Sequence, residues 1–177
     1  MKKPQRPATL RGSARLSHVD RQGRARMVDV GAKAVTARRA VAEGTITMSR
    51  TAFALVKANR VAKGDVLGVA ELAGVAGAKR TAELIPLAHP LPLEHVAVKA
   101  KLDPRLPGVR VRAEARVEAK TGVEMEALTA CAVALLAVYD MAKAADRGMV
   151  IGEVRLVAKS GGRSGAWRSG RRGSERS

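Results

Sequence analysis

Alternating apolar and polar positions predict an antiparallel hairpin in the middle of the chain. The stretches HVAVKAKL (95–102) and GVRVRAEARVEA (108–119) change character at every second residue, and DPRLPG joins them. Because the side chains of a strand point to opposite faces in turn, this pattern is typical of a sheet with one buried and one solvated face. In the second strand the apolar face comprises Val109, Val111, Ala113, Ala115 and Val117, and the polar face comprises Arg110, Arg112, Glu114, Arg116 and Glu118.

Three stretches have the longer apolar period of helices. The first follows Ser49, a residue type that caps helix N-termini. The second follows Asp65, although its glycines weaken the helical preference. The longest, roughly Gly122 to Asp146, is rich in Ala and Leu, and Thr121 and Glu124 have the spacing of a capping box.

A last strand is predicted at about 153–159, before the glycine-rich loop KSGGRSG. Helices interleaved with antiparallel strands predict an α+β fold, in which one antiparallel sheet is covered by helices on one face. The chain shows no internal repeat. We therefore predict a single domain over 26–165, with basic disordered tails at 1–25 and 166–177.

The charge distribution changes how the formal net charge of +17 is interpreted. Residues 1–26 carry eight Lys and Arg against one acidic residue, and residues 161–177 carry five against one, so the body keeps a smaller positive excess. The tails could contact nucleic acid weakly and without specificity, whereas a mildly basic body suits an anionic small molecule.

No run reaches the roughly 18 to 20 apolar residues that cross a bilayer, and the basic N-terminus has no apolar signal core, so we expect a cytoplasmic protein without membrane contact. A single cysteine, Cys131, excludes an intramolecular disulfide and does not favour a zinc site.

Several polar residues lie where a simple fold does not require them. Asp140 and Lys143 are three apart on the longest helix, so they share a face. His89 lies in the apolar, proline-bounded stretch LIPLAHP, where a structural role is the commoner one. Backbone amides of the KSGGRSG loop could cradle an anion. Further candidates are Lys63, Lys79, Lys159, Glu124 and Met125, each of which also has an ordinary structural explanation as a helix-end charge, a capping residue or a core side chain.

These residue types indicate a class of chemistry without naming a substrate. No Ser-His-Asp order, phosphate-binding P-loop or dinucleotide fingerprint occurs in the chain. Lysines, one carboxylate and one imidazole together suit proton transfer on a phosphorylated substrate, with the lysines neutralising phosphate.

Five motifs in register resemble the molybdenum cofactor biosynthesis protein C family, the cyclic pyranopterin monophosphate synthases. The resemblance runs from about Arg26 to Gly165 without large gaps. The motifs are MVDVGAKAVTARRA (27–40), KGDVLGVAELAGVAGAKRTAELIPLAHPL (63–91), KTGVEMEALTA (120–130), YDMAKA (139–144) and MVIGEVRLVAKSGGRSG (149–165).

The resemblance implies a ferredoxin-like protomer in a homohexamer, a trimer of dimers with its sites at the dimer interface. It implies a lyase that converts 3′,8-cyclo-7,8-dihydroguanosine 5′-triphosphate into cyclic pyranopterin monophosphate and diphosphate. No cofactor is expected, and whether Mg²⁺ accompanies the substrate phosphates is left open.

The resemblance also assigns roles to individual residues. Asp140 matches the catalytic aspartate, with Lys63, Lys143 and His89 near the chemistry. The substrate-binding set comprises Leu87, Ala88, His89, Met125, Glu126, Glu124, Lys79 and Lys159. The chain departs from the family at Ala88, where Cys is frequent, which makes a covalent thiol mechanism doubtful. It also has Ala82-Glu83 in place of Trp-Asp, and Arg163 in place of a lysine, which keeps the charge.

The spacing of these residues raises a geometric question. On one continuous helix, Met125 and Asp140 would lie about 22 Å apart, too far for one reacting ring to contact both. Either the helix breaks near Glu126, or its two ends serve one site from different subunits; the sequence favours the second. The main alternative function is a basic nucleic-acid-binding accessory protein, and a catalytically lapsed scaffold is a third.

Overall fold

The computed structural model describes residues 24–170. In chain order its elements are β1 (Thr36–Thr47), α1 (Arg50–Lys57), α2 (Val66–Lys79), α3 (Thr81–Leu84), β2 (His95–Asp103), β3 (Gly108–Ala119), α4 (Glu124–Ala142), β4 (Val150–Ser160) and β5 (Trp167–Arg168). The tails predicted at 1–25 and 166–177 lie largely outside the described residues. Strand β5 pairs with β4, however, so the sheet extends past residue 165, where the predicted domain ended.

The strands form one antiparallel sheet in the order β2-β3-β1-β4-β5. Without the short β5, the chain follows the β-α-β-β-α-β path of ferredoxin-like proteins. The predicted α+β class and the predicted hairpin are both confirmed, because β2 and β3 pair from His95 opposite Arg116 to Asp103 opposite Gly108. The helices after Ser49 and Asp65 are confirmed as well, since each side chain accepts a backbone N–H in the first turn.

The central strand β1 was not predicted from the sequence. Its segment TARRAVAEGTIT places small residues, Ala40, Ala42 and Gly44, where a half-buried strand would carry branched ones. The structure explains them by the close approach of α4: a Cβ on Gly44 would lie 2.8 Å from Leu135 Cδ1 and 3.1 Å from the Cys131 Sγ. The apolar alternation of β1 is therefore weak because the helix packs directly on its backbone.

Helices α2 and α4 cover one face of the sheet, as predicted, and lie against each other. A Cβ on Gly74 would lie 2.8 Å from the Ala130 carbonyl oxygen, and one on Gly77 would lie 2.8 Å from Val133 Cβ. The glycines that weaken the helical pattern of α2 thus permit its contact with α4. Within residues 24–170, α4 is also the one helix long and apolar enough to cross a bilayer, but half of it is buried, which is typical of a core helix.

Two details of α4 differ from the prediction. The helix begins at Glu124 and ends at Ala142, so it is shorter than the predicted 122–146. Its N-cap is Val123, with no capping side chain, so the predicted capping box of Thr121 and Glu124 is wrong. Glu124 is the first residue of the helix and cannot reach back to a cap; its carboxylate accepts a hydrogen bond from Lys159 instead, at 2.7 Å.

The other face of the sheet carries ion pairs between neighbouring strands. Arg39 on β1 donates two hydrogen bonds to the Glu114 carboxylate on β3, at 2.9 and 2.6 Å, and Arg116 donates another at 2.7 Å. Arg112 and Glu43 pair beside them. The Arg39 guanidinium is the main reason that the pKa of Glu114 falls from 4.5 to about 2. Because cross-strand pairs of opposite charge stabilise a given register, this network favours the observed pairing of β1 with β3.

We expect Glu114→Gln to reduce the free energy of unfolding by about 1 kcal/mol at neutral pH, as for a well-aligned, partly exposed ion pair. The native pKa is depressed, so the contribution is present above the unfolded value of 4.5 and disappears as the pH falls to about 2. Urea unfolding of both proteins at several pH values measures this. Glu118→Gln, on the same face, is the control, and a difference that stayed constant down to pH 2 would contradict the assignment.

Candidate active site

Three segments surround a recess of about 420 Å³ at the N-terminal end of α4. They are the loop between α3 and β2, the loop between β3 and α4, and the chain that precedes β1. The residues that line the recess are Val28, Val30, Lys33, Leu87, Ala88, His89, Leu91, Thr121, Gly122, Glu124, Met125 and Glu126. All residues predicted from the LIPLAHP and GVEME segments to contact the substrate therefore lie around one recess.

His89 has a defined orientation in the recess wall. A turn holds its loop, since the Ala88 N–H donates to the Ile85 carbonyl at 2.9 Å. The His89 Nε2 lies 3.0 Å from the Val28 carbonyl oxygen. A carbonyl can only accept, so Nε2 carries the hydrogen and Nδ1 is left for another partner. His89 thus makes a structural hydrogen bond through Nε2, and its Nδ1 can bind or exchange a proton with another group.

Glu126 and Met125 contribute contrasting groups. Glu126 is only 4% exposed, and this burial raises the pKa of its carboxyl, with the charge of Glu124 acting in the same direction. Met125 is 38% exposed at the recess, so it is not the core side chain that its type would favour. The recess therefore combines an apolar surface with one buried carboxyl group.

A larger cleft, of about 1060 Å³, adjoins the recess and is lined by more basic residues than the recess is. The two cavities share Lys33, Thr121, Gly122 and Glu124. The basic residues that line the cleft are Lys33, Arg38, Lys120, Lys159 and Arg163. Asp29 and Glu124 are the acidic residues of this lining, so the positive charge is in excess, and such an opening suits a polyanion.

The glycine-rich loop after β4 makes room for a neighbouring side chain, and its predicted role as an anion cradle stays a prediction. Gly161 and Gly162 have φ angles of +96° and +71°, which favour glycine. A Cβ on Gly162 would overlap the Arg38 guanidinium, and one on Gly161 would overlap the Ala37 carbonyl. The glycines thus make room for Arg38, whose guanidinium donates long hydrogen bonds, of 3.4 Å, to the carbonyls of Ala119 and Lys120.

Lys33, Arg38 and Lys120 were missed as individual site residues, although all three lie inside motifs that carry the family resemblance. Lys33 precedes strand β1, Arg38 belongs to it, and Lys120 follows β3, so their convergence depends on the sheet order. A basic residue next to a strand end carries no signal of its own in a chain with 33 Lys and Arg.

A second cluster lies at the C-terminal end of α4. The Asp140 carboxylate pairs with Lys63 at 2.6 Å and with Lys143 at 2.8 Å, so the three residues predicted to act together are in contact. Hydrogen bonds from Lys143 and Lys63 hold the pKa of Asp140 at about 2, and Asp140 raises the pKa of Lys143. Asp140 is therefore an anion at neutral pH. A cavity of about 480 Å³ beside it also includes Arg60 and Arg147.

Asp146 joins the segments that carry this cluster. Its carboxylate accepts the N–H of Ser49 at 2.7 Å and the N–H of Gly148 at 2.8 Å. Ser49 is the cap of α1, whose following loop carries Lys63, and Asp146 follows Lys143 by three residues. The chain after α4 is thereby attached to the start of α1.

The two clusters lie at opposite ends of one helix. Helix α4 is continuous from Glu124 to Ala142, so it does not break near Glu126. Met125 and Asp140 are therefore about 22 Å apart along its axis. Within one chain, the recess and the Asp140 cluster cannot contact the same reacting ring.

Lys79 lies apart from both clusters. It is exposed at the last turn of α2 and lines none of these cavities. Its proposed contact with substrate stays a prediction.

Among residues 24–170, no three His, Cys, Asp or Glu side chains converge as metal ligands would.

A family model described as the MoaC family matches residues 27–162. The chain belongs to the MoaC family. It is also similar to proteins named cyclic pyranopterin monophosphate synthase: those of Brucella ovis and Brucella melitensis are 57% identical over 155 residues, and that of Brucella canis is 56% identical. Each alignment covers 88% of this chain and 94% of the relative.

The MoaC match covers both ends of α4 and the strands beside it. Every predicted site residue from Lys63 to Lys159 lies within 27–162, as do Lys33, Arg38 and Lys120. Arg163 lies one residue beyond the match. The resemblance stated from the sequence is confirmed, and the similarity includes the residues that line the site.

Proposed function

We propose that this chain is a lyase of molybdenum cofactor biosynthesis that converts 3′,8-cyclo-7,8-dihydroguanosine 5′-triphosphate into cyclic pyranopterin monophosphate and diphosphate. The names of the relatives support this activity. The observation that carries it here is the continuity of the basic cleft with the recess. A nucleotide triphosphate has the same two parts, a polyanion joined to a flat, hydrogen-bonding ring.

The recess suits the guanine-derived ring. Glu126 can accept hydrogen bonds from ring N–H groups, which occur side by side on the edge of guanine. Its burial makes such a contact strong, because an unpaired buried carboxylate is costly and a donor pair offsets that cost. Met125, Leu87 and Ala88 supply apolar surface for the ring face.

The cleft suits the phosphates. Lys159 is paired with Glu124 in the ligand-free chain, at 2.7 Å. A triphosphate carries several negative charges and the Glu124 carboxylate only one, so a bound triphosphate can take over the Lys159 ammonium. Arg38 and Arg163 add planar donors that match phosphate geometry. Mg²⁺ could enter with these oxygens, which are the ligands it prefers; the proposed reaction needs no redox cofactor.

The Asp140 cluster suits the proton transfers. The reaction opens the five-membered ring of the purine, rearranges it to a pterin and closes a cyclic phosphate. In the last step a hydroxyl oxygen attacks phosphorus, its proton passes to a base, and the bond to the leaving diphosphate breaks.

With both lysines in contact, Asp140 is a weak base because its pKa is about 2. If a lysine turns to the substrate, the carboxylate loses a partner and becomes more basic. Lys63, Lys143 and the free Nδ1 of His89 are the other groups available to move protons.

We also propose that one site is assembled from two chains of a homohexamer, a trimer of dimers. The face of α4 that is not buried in the protomer runs from one cluster to the other. It comprises Met125, Leu128, Ala132, Leu136 and Asp140, and Leu136 is 58% exposed. An apolar helix face of this kind favours a partner. Two copies of α4 packed antiparallel around Ala132 would bring the recess of each chain to the Asp140 cluster of the other. We expect this hexameric biosynthetic enzyme in the cytoplasm.

Asp140→Asn should lower kcat/KM by about 100-fold or more and leave the melting temperature nearly unchanged. The change keeps the shape of an exposed side chain and removes its charge. Glu118→Gln, which is exposed on the far face of the sheet, is the matched control and should keep full turnover. A folded Asp140→Asn protein with wild-type kinetics would refute the catalytic role of Asp140.

Mixing two inactive variants tests the shared site. If Asp140→Asn and His89→Ala proteins are dissociated and reassembled together, each mixed dimer should contain one intact site, so about half of its sites should recover. A mixture of Asp140→Asn with Lys143→Ala is the control, because both changes affect the same cluster. Mixed oligomers that form, as verified by mass, without any recovery would show that each site lies within one chain.

Deletion of residues 1–20 and 171–177 separates this activity from the alternative, a nucleic-acid-binding accessory protein. We expect the shortened chain to keep its turnover, since the residues around both cavities remain. Any non-specific nucleic-acid binding should weaken and lose part of its salt dependence. Loss of turnover by a folded, assembled truncation would instead make the tails part of the enzyme.

A further inference from the structure

Residues 28–33, here called the strap, form a wall shared by the recess and the cleft. Val28 and Val30 are half-buried and line the recess, whereas Asp29 and Ala32 line the cleft. Lys33 lines both cavities. The strap contains no helix or extended strand, so its position depends on contacts with other segments.

Within the described part of the chain, residues 24–170, two bonds shape the strap internally and two side chains attach it to the body. The Gly31 N–H donates to Asp29 Oδ1 at 2.8 Å, and the Lys33 N–H donates to the Val30 carbonyl at 3.0 Å, which makes a tight turn. From the body, His89 bonds the Val28 carbonyl at one end. Lys120 Nζ donates to the Gly31 carbonyl at 2.6 Å, near the other end.

Lys120 is well placed to fix the strap because it is itself fixed. It follows directly after the last residue of β3, and its backbone carbonyl accepts a hydrogen bond from Arg38. The charge-assisted bond to Gly31 therefore joins the rigid sheet to a segment without regular structure. Lys33 lies two residues beyond the attachment point. Among residues 24–170, the Lys33 ammonium has no hydrogen-bond or ion-pair partner, unlike Lys159 and Lys63.

We propose that Lys120 is a positioning residue: it acts on the reaction through Gly31, by holding the strap so that the Lys33 ammonium stands between the ring recess and the phosphate cleft. The ammonium of Lys120 is itself engaged with the Gly31 carbonyl, so its effect on the substrate passes through the strap. This role rests on the proposed function only in so far as Lys33 serves the substrate phosphates.

The attachment can be tested in the ligand-free, full-length protein. Lys120→Met keeps the length and packing of the side chain and removes the donor. Amide hydrogen exchange of the segment 27–35 should accelerate by about tenfold, as for a segment that loses one of two attachments. Lys101→Met, an exposed lysine on the far face of the sheet, should leave this exchange unchanged. Wild-type exchange in Lys120→Met would overturn the proposal.

Kinetics of a double-mutant cycle then distinguish positioning from direct contact. Lys120→Met should raise KM by about tenfold with kcat within about twofold, and in a Lys33→Ala background it should add less than about twofold. Penalties that multiply fully would show that Lys120 acts independently of Lys33, which overturns the proposal. A wild-type chain without turnover would refute the proposed function, and the exchange experiment would still support or overturn the attachment by Lys120.

Discussion

The direct packing of α4 on strand β1 is the constraint on which the site depends. Gly44 has no side chain, so Leu135 and Cys131 of the helix lie against the backbone of the central strand. On its second side, α4 contacts α2 through Gly74 and Gly77. Because small residues set these contacts, the helix has little freedom to slide or rotate. Both of its ends, one with Met125 and the other with Asp140, are thereby placed relative to the sheet.

Carboxylates hold three lysines of the two clusters in place in the ligand-free chain. Glu124 holds Lys159 at one end of α4, and Asp140 holds Lys63 and Lys143 at the other. Each pair orders long side chains whose conformational entropy a ligand would otherwise have to restrict on binding. In the proposed reaction, a phosphate or a developing negative charge would replace an existing partner instead of organising mobile lysines. The low pKa of Asp140 is a consequence of this arrangement, and it ties the basicity of that carboxylate to the position of its neighbours.

Local patterns in the sequence predicted what depends on local physics. The hairpin follows from strict alternation, and the helices after Ser49 and Asp65 follow from their caps. The contact of Asp140 with Lys143 follows from helical spacing. Strand β1 could not be predicted in this way, because its small residues are explained by packing against α4, a helix about 90 positions later in the chain. The same limitation hid Lys33, Arg38 and Lys120, which approach the site only through the sheet order. The family resemblance supplied the substrate class, which residue types alone did not.

The unbroken helix also limits how the chain can change in length. Inserting one residue into α4 between Met125 and Leu135 would shift everything beyond it by about 1.5 Å and rotate it by about 100° around the axis, so Asp140 would leave the face that it shares with Met125. Such an insertion would also remove Leu135 from its place over Gly44. The turn between β2 and β3 is less restricted, because it joins strands whose pairing is already fixed, although the Met48 N–H donates to its Pro107 carbonyl at 3.0 Å. Insertions and deletions should therefore be tolerated much less well in α4 than in the turn between β2 and β3.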